Sequence, residues 1–239
     1  MSDERRICVA IHGWWGAGKS WLADTTPGPR LIMDAEGGVE DTPSDKVLWN
    51  PQTEDLPTGL GEDDSVVVDV TSWDDMDQVM KLLVSGDHPF ESVVVDSLTE
   101  IQKQLKDRLS AGPDALFDQQ AWGKLLNNME YLVRKLRDQT RPSANKRVNV
   151  VIITGTDEEQ MPKVPMFQGG LRKSYAGFFD IVGYLTTARD ADGNFERRLQ
   201  LQPDGIAVAK CRLHKVAIAN PNGFMPNPSI PEMLEITNG

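Results

Sequence analysis

The sequence predicts an α/β fold built on a mostly parallel central sheet with helices on both faces. Three observations predict it. The apolar runs "RRICVAIHG", "RLIMD", "SVVVDV", "ESVVVDS" and "VNVVIITGT" are short and β-branched, as strands covered on both faces are. Helical patterns alternate with them. A glycine-rich stretch, "HGWWGAGKS", follows the first run directly and leads into a helix.

Each element has its own reason. "RRICVAIHG" reads as a buried strand entering the glycine loop, and the helix begun by "SWLAD" must be short because Pro27 and Pro29 cannot continue it. "RLIMDAEGG" is a second strand. An acidic Pro/Gly-rich loop follows, with "VLW" as a brief strand inside it. "SVVVDV" is a third strand. The helix after it opens on Ser72 and Asp75 as a capping box and stacks Trp73, Met76, Met80 and Leu83 on one face. "ESVVVDS" is the fourth strand, and Ser97 with Glu100 caps a helix that buries Leu98, Ile101, Leu105 and Leu109. Residues 119–138 form a longer amphipathic helix with Leu125, Met129, Leu132 and Leu136 inward, before the fifth strand, "VNVVIITGT". From about residue 181 the texture changes. "IVGYLTTARDADGNFERRLQLQ" reads as a hairpin turning at Asp192-Gly193, "IAVAKCR" as a further strand, and the Pro/Asn-rich tail as a wrap around the domain. The expectation is a single domain over residues 1–239, with a core over about 5–190 and a hairpin and tail over about 191–239.

Composition narrows the class. Of 239 residues, 39% are hydrophobic and 26% charged, ordinary values for a globular domain. No apolar run approaches the length of about 18 residues that a membrane span needs, and "MSDERRICVA" has no hydrophobic signal segment. Cys8 and Cys211 lack metal-like spacing and read as reduced thiols, so the expected setting is cytoplasmic. The net charge of −11 argues against a nucleic-acid partner, but its distribution weakens that argument. Residues 37–64 hold eight acids against one lysine, whereas residues 134–147 hold six bases against one acid. The basic stretch reads either as a solvated helix end or as a local anion-binding face.

Gly13, Gly16, Gly18, Lys19 and Ser20 satisfy G-x-x-x-x-G-K-[ST] without a mismatch, between a strand and a helix. Glycines let backbone N–H groups curl round a phosphate, and the helix N-terminus adds a positive dipole end. Ala17 and Trp21 complete the predicted nucleotide contacts, Lys19 reaches the β- and γ-phosphates, and the Ser20 hydroxyl ligates Mg²⁺. Trp14 and Trp15 hold variable positions; packing as a cap on the core is favoured over stacking on a base or a neighbouring subunit.

Two strands end in Asp, at Asp69 and Asp96. A capped helix follows Asp96 at once, which puts it at a strand tip and assigns it to the metal; Val70 and Thr71 prolong the other run, so Asp69 reads as a solvated strand residue. Ser97 rather than Glu follows Asp96, so the base must come from elsewhere. Glu36 in "LIMDAEGG" is a candidate to orient water on the γ-phosphate, with a turn closing onto Gly37-Gly38 as the equal alternative for Asp34 and Glu36.

The glycine loop, a strand ending Asp-Ala-Glu and a strand ending Asp-Ser together resemble the RecA-type ATPase core. The short first helix, its proline break, the "D-x-E-G-G" strand end, "VVVDSLTE" and "FFDIVGYL" are similar to phage RecA-like nucleotide-binding proteins, the group that includes Sak-type single-strand annealing ATPases. The resemblance spans about residues 7–235. It implies a RecA-like P-loop NTPase fold with ATP and Mg²⁺, and Glu36 as the hydrolytic base. Thr154 or Thr156 would then be a polar γ-phosphate sensor, with an ordinary strand residue as the alternative. Lys210 and Arg212, two apart on a strand, would reach a neighbouring subunit's ATP in a homo-oligomer, with a solvated face as the equal alternative.

In the RecA-like arrangement the segments "AGPDALFD" and "DEEQMPKVPMFQGGLRKSY" face DNA. The second interleaves Lys163, Arg172 and Lys173 with Phe167 and Tyr175, a composition suited to single-stranded DNA, although it starts on Asp157-Glu158-Glu159. The leading expectation is therefore a Mg-dependent, DNA-stimulated ATPase of phage recombination or replication in the host cytoplasm, with a single-strand-binding protein as a further partner. The alternatives are a P-loop kinase, for which residues 134–147 would supply the arginine lid, and a regulatory ATP-binding module with little hydrolysis.

Overall fold

The computed structural model describes residues 4–110, 117–167, 171–190 and 192–239. The chain runs β1 (Cys8–Gly13), α1 (Lys19–Asp24), β2 (Arg30–Asp34), β3 (Asp45–Leu48), β4 (Asp64–Asp69), α2 (Trp73–Ser85), β5 (Ser92–Asp96), α3 (Leu98–Leu109) and α4 (Gln119–Asp138). It continues through β6 (Asn149–Thr154), a two-residue ribbon of β7 (Thr156–Asp157) and β8 (Val164–Pro165), and α5 (Leu171–Ser174). Then come β9 (Ile181–Arg189), β10 (Phe195–Gln200), β11 (Lys210–Cys211), α6 (His214–Ala219), β12 (Phe224–Pro226) and α7 (Ile230–Asn238).

The main sheet has the order β12-β10-β9-β1-β6-β5-β2-β4-β3, with β11 joined to β9. From β9 to β3 every pairing is parallel, and β10 closes antiparallel on β9. The period-2 alternation of buried strands sorts side chains onto two faces. Cys8 and Ala10 of β1 with Val93 and Val95 of β5 meet α2, α3 and α4 through Met76, Leu83, Leu98, Ile101, Leu125 and Leu132. On the other face Val9, Ile11 and Val94 meet Leu22 of α1, Val216 of α6 and Ile230 and Met233 of α7. Helices cover both faces, as the sequence pattern predicts.

Local signals locate the ends. Asp75 accepts hydrogen bonds from the Ser72 backbone N–H and hydroxyl, at 2.9 and 3.0 Å, and Asp118 starts α4 by accepting from Ala121 N at 2.7 Å. The acidic loop is pinned by Asp24, whose carboxylate accepts from Ser44 N and Oγ while Arg30 donates to the Asp24 carbonyl.

The hairpin "IVGYLTTARDADGNFERRLQLQ" forms as β9 and β10, and its first strand is also a central strand of the sheet, bonded to β1 with Gly13 opposite Leu185. Of "IAVAKCR" only Lys210 and Cys211 form a strand, because Asp204 draws residues 206 and 207 into a turn through its carboxylate. The tail does wrap the domain, as β12 and α7. Among the described residues no helix is long and apolar enough to cross a membrane, and Cys8 and Cys211 are both free thiols.

Candidate functional site

The site is assembled at the C-terminal ends of β1, β2 and β5. Gly13 leaves β1 so close to β9 that a Cβ there would lie 2.4 Å from the Leu185 carbonyl oxygen, which only glycine tolerates. Gly16 and Gly18 take positive φ, 74° and 90°, and turn the loop onto the start of α1. Ala17 is buried beneath the loop. Lys19 folds back along it, with Nζ donating to the carbonyls of Gly13 at 3.1 Å and Trp14 at 3.2 Å. Burial lowers the Lys19 pKa, and the negative charges of Asp96 and Glu36 oppose that shift.

The Ser20 hydroxyl donates to Asp96 Oδ2 at 2.5 Å. Asp96 is almost fully buried, and burial, reinforced by Glu36 and Asp34, pushes its pKa up to about 6 against the lowering bond from Ser20. A hydroxyl beside a desolvated carboxylate is an oxygen-only donor set that suits Mg²⁺, which takes one or two protein ligands and completes its shell with water and phosphate oxygens. Ser20 and Asp96 are the residues that would hold it. When bound, the metal would supply charge neutralisation at the phosphates.

Sheet order explains the choice between the two aspartates. Asp34 of β2 lies opposite both Asp69 and Asp96, and both strands stop at their Asp. The sequence argument that the Asp69 strand runs on is therefore incorrect. What separates them is position: β5 lies between β2 and β6, close to β1, whereas β4 lies outside β2 and leaves Asp69 exposed.

Glu36 stands at the same rim. Asp34 accepts from the N–H groups of Glu36 at 3.0 Å and Gly37 at 2.8 Å, and Ala35 N donates to the Asp96 carbonyl at 2.6 Å. These bonds make the turn that the alternative reading wanted. Glu36 itself is exposed, and its Oε1 accepts from the hydroxyl of Ser97, the residue after Asp96. Ser97 was legible only as a helix cap; it also receives Glu100 N at 3.3 Å, so one hydroxyl serves both purposes.

Other expected residues land differently. Trp14 and Trp15 are 52% and 74% exposed with ring centroids 4.7 Å apart, so they do not cap the core, and the favoured packing account is incorrect. Thr154 is fully buried, and its Oγ1 has no hydrogen-bond partner among the described residues. The Thr156 hydroxyl lies 3.1 Å from His12 Nδ1, while His12 Nε2 donates to the Val208 carbonyl at 2.8 Å. Burial pushes the His12 pKa down to about 4, so the ring is neutral near pH 7 and Nδ1 accepts the hydroxyl proton of Thr156.

Lys210 and Arg212 do send both heads to one side, but toward carbonyls of their own chain. Lys210 donates to Ala176 and Phe179, and Arg212 to Gly177 at 2.8 Å. β11 pairs with the first residues of β9, at the sheet end away from the glycine loop. The predicted DNA-facing loop is also engaged internally. Lys163 pairs with Glu158, Arg172 pairs with Asp157, and Phe167 and Tyr175 are buried against each other at 5.0 Å. These two aromatics are core residues and offer no open face to a base. Most of "AGPDALFD", and residues 168–170, lie outside the described residues.

One residue at the loop was missed. Arg197 of β10 places its guanidinium 5.2 Å from the Trp21 ring, and a Cβ on Gly18 would fall 2.3 Å from Arg197 Nε. The only sequence signal was its place in the hairpin strand, "FERRLQ". The hairpin brings a cation to the start of α1 because β10 lies two strands from β1.

The parallel sheet, the glycine cradle and the Ser20–Asp96 pair define a P-loop nucleoside-triphosphatase. A family model described as an AAA domain matches residues 5–213, and the chain belongs to that family, an AAA-type P-loop ATPase domain. A comparison with curated proteins gave no match.

If Asp96 holds a metal, its raised pKa of about 6 would make a proton compete with that metal, so turnover at limiting Mg²⁺ is expected to fall as pH drops through about 6 and this acid limb to move lower at saturating Mg²⁺. The sign for stability is the reverse. Between about pH 4 and 6 the folded metal-free chain holds a proton that the unfolded chain has released, so this group's contribution to stability declines as pH rises. Rate profiles at two Mg²⁺ concentrations check the first statement; a limb that ignores Mg²⁺ would contradict it.

Proposed function

We propose that the chain is a Mg²⁺-dependent ATPase acting on single-stranded DNA in phage recombination or replication, as an annealing or recombination mediator in the host cytoplasm. The observation that carries the hydrolytic part is the joined constellation Lys19, Ser20–Asp96 and Glu36–Ser97 at one sheet rim. Lys19 and the loop N–H groups would neutralise the phosphates. Glu36, held by Ser97, would accept a hydrogen bond from the attacking water. The phage RecA-like assignment rests on the resemblance around "DAEGG" and "VVVDSLTE". In that reading the protein works as a homo-oligomer, with a single-strand-binding protein as a further partner. Lys210 and Arg212 would exchange their own-chain carbonyls for a neighbour's phosphates.

The kinase alternative loses its lid. The basic stretch 134–147 ends α4 and leads into the start of β6, opposite the end where the glycine loop stands. The discriminating experiment is the rate of phosphate release against oligo-dT and protein concentration. Stimulation by oligo-dT, and a rate per chain that rises with concentration, is the expected result. ADP release that needs a nucleoside acceptor and ignores DNA would establish the kinase reading. Tight ATP binding without turnover would establish a regulatory module.

A further inference from the structure

At the sheet end opposite the glycine loop lies an open cleft of about 330 Å³. Arg5, Arg6, Arg137, Arg141, Arg147 and Arg212 line it, brought together from the approach to β1, the end of α4, the loop before β6 and the residue after β11. Six residues of β1, at about 3.3 Å each, separate this rim from the cradle by roughly 20 Å.

The charge is not cancelled locally. Arg5 pairs with Asp180 at 3.0 Å, Arg6 with Glu91 at 2.5 Å, and Arg137 and Arg141 share Asp138 at 2.7 and 3.2 Å. Arg147 and Arg212 donate instead to the carbonyls of Thr140 and Gly177. Six guanidiniums thus face three carboxylates, on a chain whose net charge is −11. Each guanidinium carries five donors, so a single acid or carbonyl leaves most of its fork available to a phosphate.

We propose that this cleft binds the sugar–phosphate backbone of a single nucleic-acid strand; the inference rests on the DNA reading above and relocates its contact surface. An open cleft with this excess charge matches successive phosphates better than one. The aromatic at its base, Phe178, is buried and covered by Arg134 and Arg137 at 5.2 and 5.6 Å, so it offers no open face for base stacking. Contact is therefore with the backbone and indifferent to sequence. The loop expected to contact DNA has meanwhile paired Lys163 and Arg172 with its own acids.

The test is fluorescence anisotropy of labelled (dT)20 with the full chain, the double variant Arg141→Glu/Arg147→Glu, and Arg172→Glu, over a salt series. The double variant is expected to bind at least about tenfold more weakly, with a salt slope shallower by about 1.4, about 0.7 per lost phosphate contact. Its binding of fluorescent ATP and its melting midpoint should match the wild type. Equal DNA binding by the double variant overturns the cleft proposal, and weakening by Arg172→Glu alone would return the contact to the loop; in both cases the DNA reading survives. A wild-type chain that ignores (dT)20 but binds tripolyphosphate through the cleft arginines overturns both. If the double variant does not fold, Arg141→Ala, in an exposed loop, carries the same comparison at smaller amplitude.

Discussion

Glu36→Gln is expected to bind MgATP as the wild type does while its turnover falls by about 10²–10⁴-fold, the usual contribution of a positioned general base. The substitution is close to isosteric. Gln keeps an oxygen to accept the Ser97 hydroxyl, so the side chain stays where Glu36 stands and only its proton affinity is lost. The Asp34 bonds that build the turn come from backbone N–H groups at 36 and 37 and are untouched. Binding titrations beside single-turnover hydrolysis separate the two effects. Unchanged turnover removes Glu36 from the mechanism, and lost binding recasts it as a ligand-holding residue.

Asp96→Asn is expected to uncouple Mg²⁺ from the nucleotide. Asn can still accept from Ser20 Oγ, so the contact that ties α1 to β5 persists, but the buried negative charge that attracts the cation is gone. Metal assistance supplies several kcal/mol at such sites, so turnover should fall by about 10²–10³-fold. The Mg²⁺ dependence of ATP affinity should flatten as well. The acid limb near pH 6 should vanish, because the group that titrates there has been removed. Isothermal titration of ATP with and without Mg²⁺ measures this directly. An Asp96→Asn chain that keeps the full Mg²⁺ dependence would place the metal elsewhere, with Asp34 the next carboxylate in the row.

Much of this arrangement was legible because it is local. The glycine loop, the proline-limited first helix and the helices opened by Ser72 and Ser97 each declare themselves within a few residues. So does the Asp192-Gly193 turn, where Gly193 takes φ 84°. The parallel sheet follows from short β-branched runs separated by helices. What sequence reading missed depends on which strands become neighbours. Asp69 and Asp96 end equivalent "VVVD" runs, and only the order β6-β5-β2-β4 puts one beside the cradle and the other in solvent.

Arg197 stands 178 positions from Lys19 yet overlies Trp21, because the hairpin joins the sheet beside β1. Phe167 and Tyr175 look like stacking residues in a Gly/Pro-rich stretch, but each adds more by burying its ring than by waiting in solvent. Trp14 and Trp15 err in the opposite direction. Size alone suggested packing, but the loop's backbone must face the phosphates, which leaves both rings outward. The arginine cleft illustrates the same limit. Residues 134–147 looked basic in one dimension, and the fold adds Arg5, Arg6 and Arg212 to them.

The most direct measurement is phosphate release from ATP by the wild-type chain, at saturating single-stranded DNA, with Mg²⁺ and then with EDTA. The site built by Lys19, Ser20, Asp96 and Glu36 predicts steady turnover that stops when the metal is withdrawn. No release in either condition, or equal release in both, would contradict it.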